Sequence, residues 1–150
     1  MSRSFRIATA LGLCAVLAAC SAPALRTDYT VSVTFTPAAV AALKTAGESV
    51  TLDAYYYGAP TEAAKSKTNE AGQIELGEDF VTVDPAASPV HVAGAGILQQ
   101  ELPQVEGGKI DVNLRAYSGA DRENLLTCTT VTAGLADLQA KSMTIACDAA

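Results

Sequence analysis

A single histidine, ten basic residues against 16 acidic ones, and no apolar run longer than about 11 residues mark what this 150-residue chain has little of. Each scarcity excludes something. A helix needs about 20 apolar residues to span a bilayer, so a lone transmembrane anchor is not expected. The acid excess repels nucleic acid and anionic lipid heads, which carry the same sign. One imidazole cannot build a histidine metal cluster. His91 alternates with Val90 and Val92, so it points away from them, as a surface or hydrogen-bonded histidine would. No serine or threonine stands in a nucleophile-elbow sequence. Gly94-Ala95-Gly96 is a lone pair of glycines, and Pro103 interrupts the helix that a phosphate cradle would need after it. These absences point away from an enzyme and imply no cofactor.

The segment from Met1 to Cys20 is more specific. Arg3 and Arg6 make a positive start, Ile7 to Leu17 is apolar, and small residues lead into Leu17-Ala18-Ala19-Cys20. This order resembles a bacterial lipoprotein signal that ends in a lipobox. The resemblance implies diacylglycerol on the Cys20 sulfur, loss of residues 1–19, and acylation of the new amino end, as with palmitate. Each buried lipid methylene contributes about 0.8 kcal/mol, so two or more chains hold a protein stably at a membrane. Aspartate after the cysteine resembles an inner-membrane retention signal, and Ser21 is not one. In a Gram-negative host the resemblance therefore implies an outer-membrane lipoprotein that faces the periplasm.

All 16 acidic residues but only 8 of the 10 basic ones follow Cys20, so the stretch from Cys20 to Ala150 carries a formal charge of −8. That much chain makes one domain with a sizeable core. Under the lipoprotein reading Cys14 is discarded and Cys20 is acylated, which leaves Cys128 and Cys147 in an oxidising compartment. A disulfide between them is expected, with two free buried thiols as the alternative. Such a bridge contributes about 3 kcal/mol in the chain-entropy model. Two cysteines without a nearby histidine do not make a zinc site.

Residues 20–28 read as a lipidated tether and 29–150 as the folded domain. Tyr29 to Thr36 alternates without a break, with Tyr29, Val31, Val33 and Phe35 on one face. Thr36-Pro37 starts a short helix that Gly47 ends, with Val40 and Leu43 as its apolar edge. Ser49 to Tyr57 is a second strand: Val50, Leu52, Ala54 and Tyr56 point in, while Thr51, Asp53, Tyr55 and Tyr57 point out. Short strands follow at Gln73–Leu76, Phe80–Val83 and Val90–Ala93. Lys109 to Tyr117 is strong again, with Ile110, Val112, Leu114 and Ala116 in and Asp111, Asn113, Arg115 and Tyr117 out. After a loop over Ser118–Asn124 come a strand at Leu125–Val131, a helical stretch at Ala133–Ala140 and a strand at Met143–Cys147. Gly58–Gly72 reads as a polar connection, and Ile97–Gly108 fits no regular element. The pattern is mainly β: an Ig-like or transthyretin-like β-sandwich of about seven short strands with one or two short helices. With a crossover between the last two strands, the cysteines are expected to bridge the two sheets.

Val50 to Tyr55, followed by Lys67-Thr68-Asn69-Glu70-Ala71-Gly72-Gln73-Ile74-Glu75-Leu76, resembles the transthyretin-like or carboxypeptidase-regulatory-like sandwich. The resemblance lies between Val50 and Leu76 and consists of common turn chemistry. It implies a non-catalytic seven-stranded sandwich and carries over no active-site residue.

Two constellations could bind something. Glu75, Glu78, Asp79 and Asp84 are the densest acidic stretch, either a solvated rim or a weak calcium site. Tyr55, Tyr57, Tyr117 and Arg115 share outward faces with Asp53. On neighbouring strands they would form an aromatic patch for protein or glycan contacts, or they would simply cover the sheet by packing on Arg115 and the loop from Gly58. The expectation is a lipid-anchored envelope lipoprotein acting as a non-catalytic interaction or assembly module with an envelope protein partner. The alternative is a small-ligand or metal-ion-binding lipoprotein.

Overall fold

The computed structural model describes residues 25–119 and 124–150. Cys20, the signal segment and residues 20–24 of the expected tether lie outside the described residues, as do residues 120–123 of the loop after Ser118.

The described residues form eight strands and two short α-helices, with short 3₁₀ segments between some of them. The strands are β1 (Tyr29–Phe35), β2 (Val50–Gly58), β3 (Ile74–Val83), β4 (Val90–Val92), β5 (Asp111–Ser118), β6 (Leu126–Cys128), β7 (Val131–Gly134) and β8 (Met143–Ala149). The helices are α1 (Pro37–Ala46) and α2 (Leu135–Ala140). The first sheet runs β4-β1-β8-β6 and the second β3-β2-β5-β7. All pairings are antiparallel except β1 with β8, which run parallel. The mainly β sandwich read from the alternation is therefore the fold.

Alternation decides which faces meet. Val31 and Val33 from β1, Leu52 and Tyr56 from β2, Val112 and Leu114 from β5 and Ile145 from β8 are almost fully buried between the sheets. Burying each such side chain contributes about 1.5–3 kcal/mol. The helix α1 starts where Thr36 Oγ1 accepts the Ala39 N–H at 3.2 Å, with Pro37 at its first position. It ends at Gly47, whose N–H bonds the Leu43 carbonyl. Its buried edge is Ala39 and Leu43, not Val40, which is 39% exposed. The i, i+4 pair faces the sheet, and Val40 lies one position round the helix.

Several boundaries differ from the sequence expectation. Gln73–Leu76 and Phe80–Val83 join into one strand, because a bulge carries the ladder through. Tyr56 pairs with Gly77 and Tyr57 with Glu75, which leaves Leu76 as the extra residue. Gly77 sits at φ 97°, a conformation open to glycine and strained for other residues. A one-residue insertion exchanges the two faces of a strand. Ile74 and Leu76 are therefore buried, and beyond the bulge Asp79, Val81 and Val83 point inward while Phe80 turns out.

The expected strand Leu125–Val131 is two strands in different sheets, β6 and β7, and Ala133 and Gly134 belong to β7 rather than to the helix. The chain thus leaves the first sheet after β6, adds β7 to the second, and returns through α2 to β8. Two crossings bring it back to its starting sheet. Cys128 pairs directly with Cys147 across β6 and β8, and their sulfurs lie 2.07 Å apart. The cysteine pair is as expected, but it staples neighbouring strands of one sheet instead of bridging two. Ile97–Gly108 holds two 3₁₀ turns, Gln99–Gln104 and Glu106–Gly108, around buried Val105, which bridges to Pro60.

Candidate functional site

The outer face of the second sheet collects the aromatic residues. Antiparallel pairing of β2 with β5 sets Tyr57 opposite Asp111, Tyr55 opposite Asn113, Asp53 opposite Arg115 and Thr51 opposite Tyr117. Pairing with β3 adds Glu75, Glu78, Phe80 and Thr82 in the same rows. The expected neighbours are therefore neighbours, and Tyr55, Tyr57, Tyr117 and Arg115 share one face.

They do not form one continuous patch. Tyr55 and Tyr57 stack, with ring centroids 5.7 Å apart and planes 24° apart. The Tyr55 hydroxyl accepts a hydrogen bond from Asn69 Nδ2 at 3.1 Å, and Asn69 Oδ1 is held in turn by the Ala71 and Gln73 N–H groups. Tyr117 lies two rows away, about 13 Å along the strands. The Asp53–Arg115 row separates them. Arg115 donates to Asp53 Oδ2 at 2.5 Å, and the arginine side chain is 58% exposed while the aspartate side chain is 4% exposed. Burial raises the pKa of both Tyr55 and Tyr57, aided by Glu75 for Tyr55 and by Asp111 for Tyr57. Both rings therefore present neutral hydroxyls at physiological pH.

Phe80 belongs to this face and was not singled out from the sequence. It sits opposite Asp53 and is 59% exposed, the most exposed large apolar side chain among the described residues. The signal was Gly77: a glycine inside an alternating run marks a bulge, and a bulge changes the face of everything after it.

The acidic stretch does not converge. Glu75 and Glu78 point outward from β3, Asp79 points inward, and exposed Asp84 closes a turn by accepting the Ala86 N–H at 2.8 Å. Among the described residues no group of three or more His, Cys, Asp or Glu side chains could hold a metal ion. The four carboxylates, read from the sequence as a solvated rim or a weak calcium site, thus do not share one direction.

Asp79 has another role. Tyr56 donates to Asp79 Oδ2 at 2.8 Å, and the Gly96 N–H donates to Oδ1 at 2.9 Å. Tyr29, from the opposite sheet, lies 3.1 Å from the Tyr56 oxygen. With the Tyr56 proton committed to the carboxylate, Tyr29 donates to Tyr56. This buried chain ties the two sheets through polar atoms. Burial pushes the Tyr29 phenol up to about 12 and the Tyr56 phenol higher still, so both remain protonated. Gly94-Ala95-Gly96, expected as a bend, supplies the backbone donor. A Cβ on Gly96 would clash with the Glu78 carbonyl oxygen.

His91 is exposed on β4 opposite Thr30, on the outer face of the first sheet. Among the described residues no helix is long and apolar enough to cross a membrane. No protein-family model, curated protein or solved structure matches the chain.

Proposed function

We propose that the protein is a lipid-anchored lipoprotein of the cell envelope whose sandwich is a non-catalytic interaction module, docking an envelope protein on the outer face of the second sheet. The observation that carries this reading is the array on that face. The stacked Tyr55–Tyr57 pair and exposed Phe80 flank the Asp53–Arg115 ion pair on three neighbouring strands. Rigid rings with polar tips offer contact area at low entropy cost, and tyrosine and arginine dominate the strongest interface positions. The sheet beneath fixes their spacing, so little ordering remains to oppose binding.

The anchor part rests on the resemblance of the segment from Met1 to Cys20 to a lipoprotein signal. Arg26, Thr27 and Asp28 are already hydrogen-bonded to Gln139 and Ala93, so a tether over residues 20–25 spans at most about 20 Å, which keeps the domain close to its membrane. The interaction module is favoured over the metal-binding alternative because Glu75, Glu78, Asp79 and Asp84 diverge.

Site-specific photo-crosslinking in intact cells tests the docking face. A crosslinking residue at Phe80 is expected to give a discrete adduct, and one at Thr144 on the opposite face is expected to give none. The Tyr55→Ser/Tyr57→Ser variant should lose the Phe80 adduct while remaining folded. Equal adducts from both faces, or none from Phe80, would refute the reading.

A further inference from the structure

We propose that a cleft beside the Asp53–Arg115 pair is a second site, one that binds a neutral saccharide. It shares the Asp53–Arg115 pair with the docking face but does not require docking at Phe80 or the Tyr55–Tyr57 pair. The cleft has a volume of about 560 Å³ and is lined by Asp53, Arg115, Tyr117, Asn124, Thr127 and Thr130, among others. Ligand pockets typically measure about 300–1,000 Å³.

The topology makes this space. β7 pairs only with the first half of β5, ending where Val131 meets Leu114. Beyond that point the chain peels away to the other sheet, so Arg115 and Tyr117 face the segment Thr127–Thr130 across a gap. Both walls are fixed. Asn124 Oδ1 accepts from the Ser118 N–H, the Ser118 hydroxyl and the Leu126 N–H. On the other wall, Cys128 is joined to β8 through Cys147.

The carboxylate indicates the ligand chemistry. Asp53 is 3% exposed, and its Oδ2 is taken by Arg115. Its Oδ1 is buried and has no hydrogen-bond partner among the described residues. A buried acceptor without a donor is rare in folded proteins and calls for one. Arg115 already balances the charge of Asp53, so the missing donor need not be a cation; a hydroxyl suffices. Thr127 and Thr130 are exposed, and their hydroxyls both donate and accept, as sugar hydroxyls do. Tyr117, partly buried, also lines this space, where the C–H face of a sugar ring can pack against it. Aromatic area with a few convergent polar groups is the general composition of a small-molecule site. Asp53 and Arg115 both line the cleft, and the more exposed Arg115 side chain has to shift for a hydroxyl to reach Oδ1.

Saturation-transfer difference NMR on the intact chain in a sugar-free detergent tests this. The probes are maltotriose, cellotriose and triacetylchitotriose, with glucuronate as the anionic control. At least one neutral probe is expected to receive saturation. Binding should weaken at least tenfold in Tyr117→Ala and in Asp53→Leu, with unchanged melting of Tyr117→Ala showing that the fold is intact. The Tyr55→Ser/Tyr57→Ser variant should bind as the parent does. No transfer to any neutral probe, transfer to glucuronate alone, or binding that survives Tyr117→Ala would overturn the proposal.

Discussion

Tyr56→Phe removes one oxygen from the middle of the sandwich, and the structure indicates what that oxygen contributes. It donates to a carboxylate at 2.8 Å and receives the Tyr29 hydroxyl at 3.1 Å, while Tyr56 itself is fully buried. A hydrogen bond to a charged group contributes about 1.5–3 kcal/mol, and a neutral one about 1 kcal/mol. The ring stays, so no cavity opens. The expected loss is about 3 kcal/mol, a large share of the 5–15 kcal/mol that typically holds a domain together. For a domain of this size that lowers Tm by roughly 10 °C. Urea denaturation followed by far-ultraviolet circular dichroism measures it. Tyr29→Phe should cost less, and the double variant should fall short of the sum, because the two hydroxyls share one bond. The same chain sets an alkaline limit. The folded Tyr29 pKa, about 12, lies above the ordinary phenol value of 10.0, and Tyr56 is shifted in the same direction. Between these values the unfolded chain releases protons that the folded one keeps. Stability from these groups is therefore complete below about pH 10 and lost as pH rises towards 12 and beyond. The double phenylalanine variant should show a flatter decline. A loss below about 0.5 kcal/mol for Tyr56→Phe, with an unchanged alkaline slope in the double variant, would refute the account.

Other outcomes follow from single contacts. Cys128→Ser/Cys147→Ser opens a loop with a sequence separation of 19 and should cost about 3 kcal/mol in chemical denaturation, if the bridge acts mainly on the unfolded chain. Gly96→Ala drives a Cβ into the Glu78 carbonyl and displaces the backbone donor to Asp79, so a loss of about 2 kcal/mol is expected in the same assay. Phe80→Ser, on an exposed side chain, should change stability by less than about 0.5 kcal/mol while abolishing partner adducts from that face; a larger loss would mean that the ring is packing. Intact mass spectrometry of membrane-extracted protein should give Cys20 to Ala150 plus acyl chains, gaining two hydrogens on reduction. Cys20→Ser should move the protein out of the membrane fraction, and an unlipidated mass for the parent would remove the anchor.

Much of the fold was legible because a strand buried on one face must alternate. β1, β2 and β5 showed their inward residues directly: Val31, Leu52 and Val112 are where a period of two puts them. The cap at Thr36-Pro37 and the end at Gly47 were likewise local chemistry. The candidate face was half legible, since alternation marked Tyr55, Tyr57, Arg115 and Tyr117 as outward but could not say which rows they occupy. Phe80 was missed because a bulge at Leu76–Gly77 resets the period, and a glycine alone does not say which way the chain will slip.

The chain by itself determined the faces of its best strands and the helix start at Thr36. Those depend on side-chain period and short-range geometry, which a sequence carries in full. Only the tertiary structure decided that β6 and β7 part into different sheets, and that Cys128 meets Cys147 within one sheet. The same is true of Asp79 turning in to meet Tyr56 while Glu78 turns out, and of the buried Asp53 oxygen left without a donor. Each depends on which strand lies beside which. That choice is made by packing between residues far apart in the chain, and alternation within one strand carries no record of it.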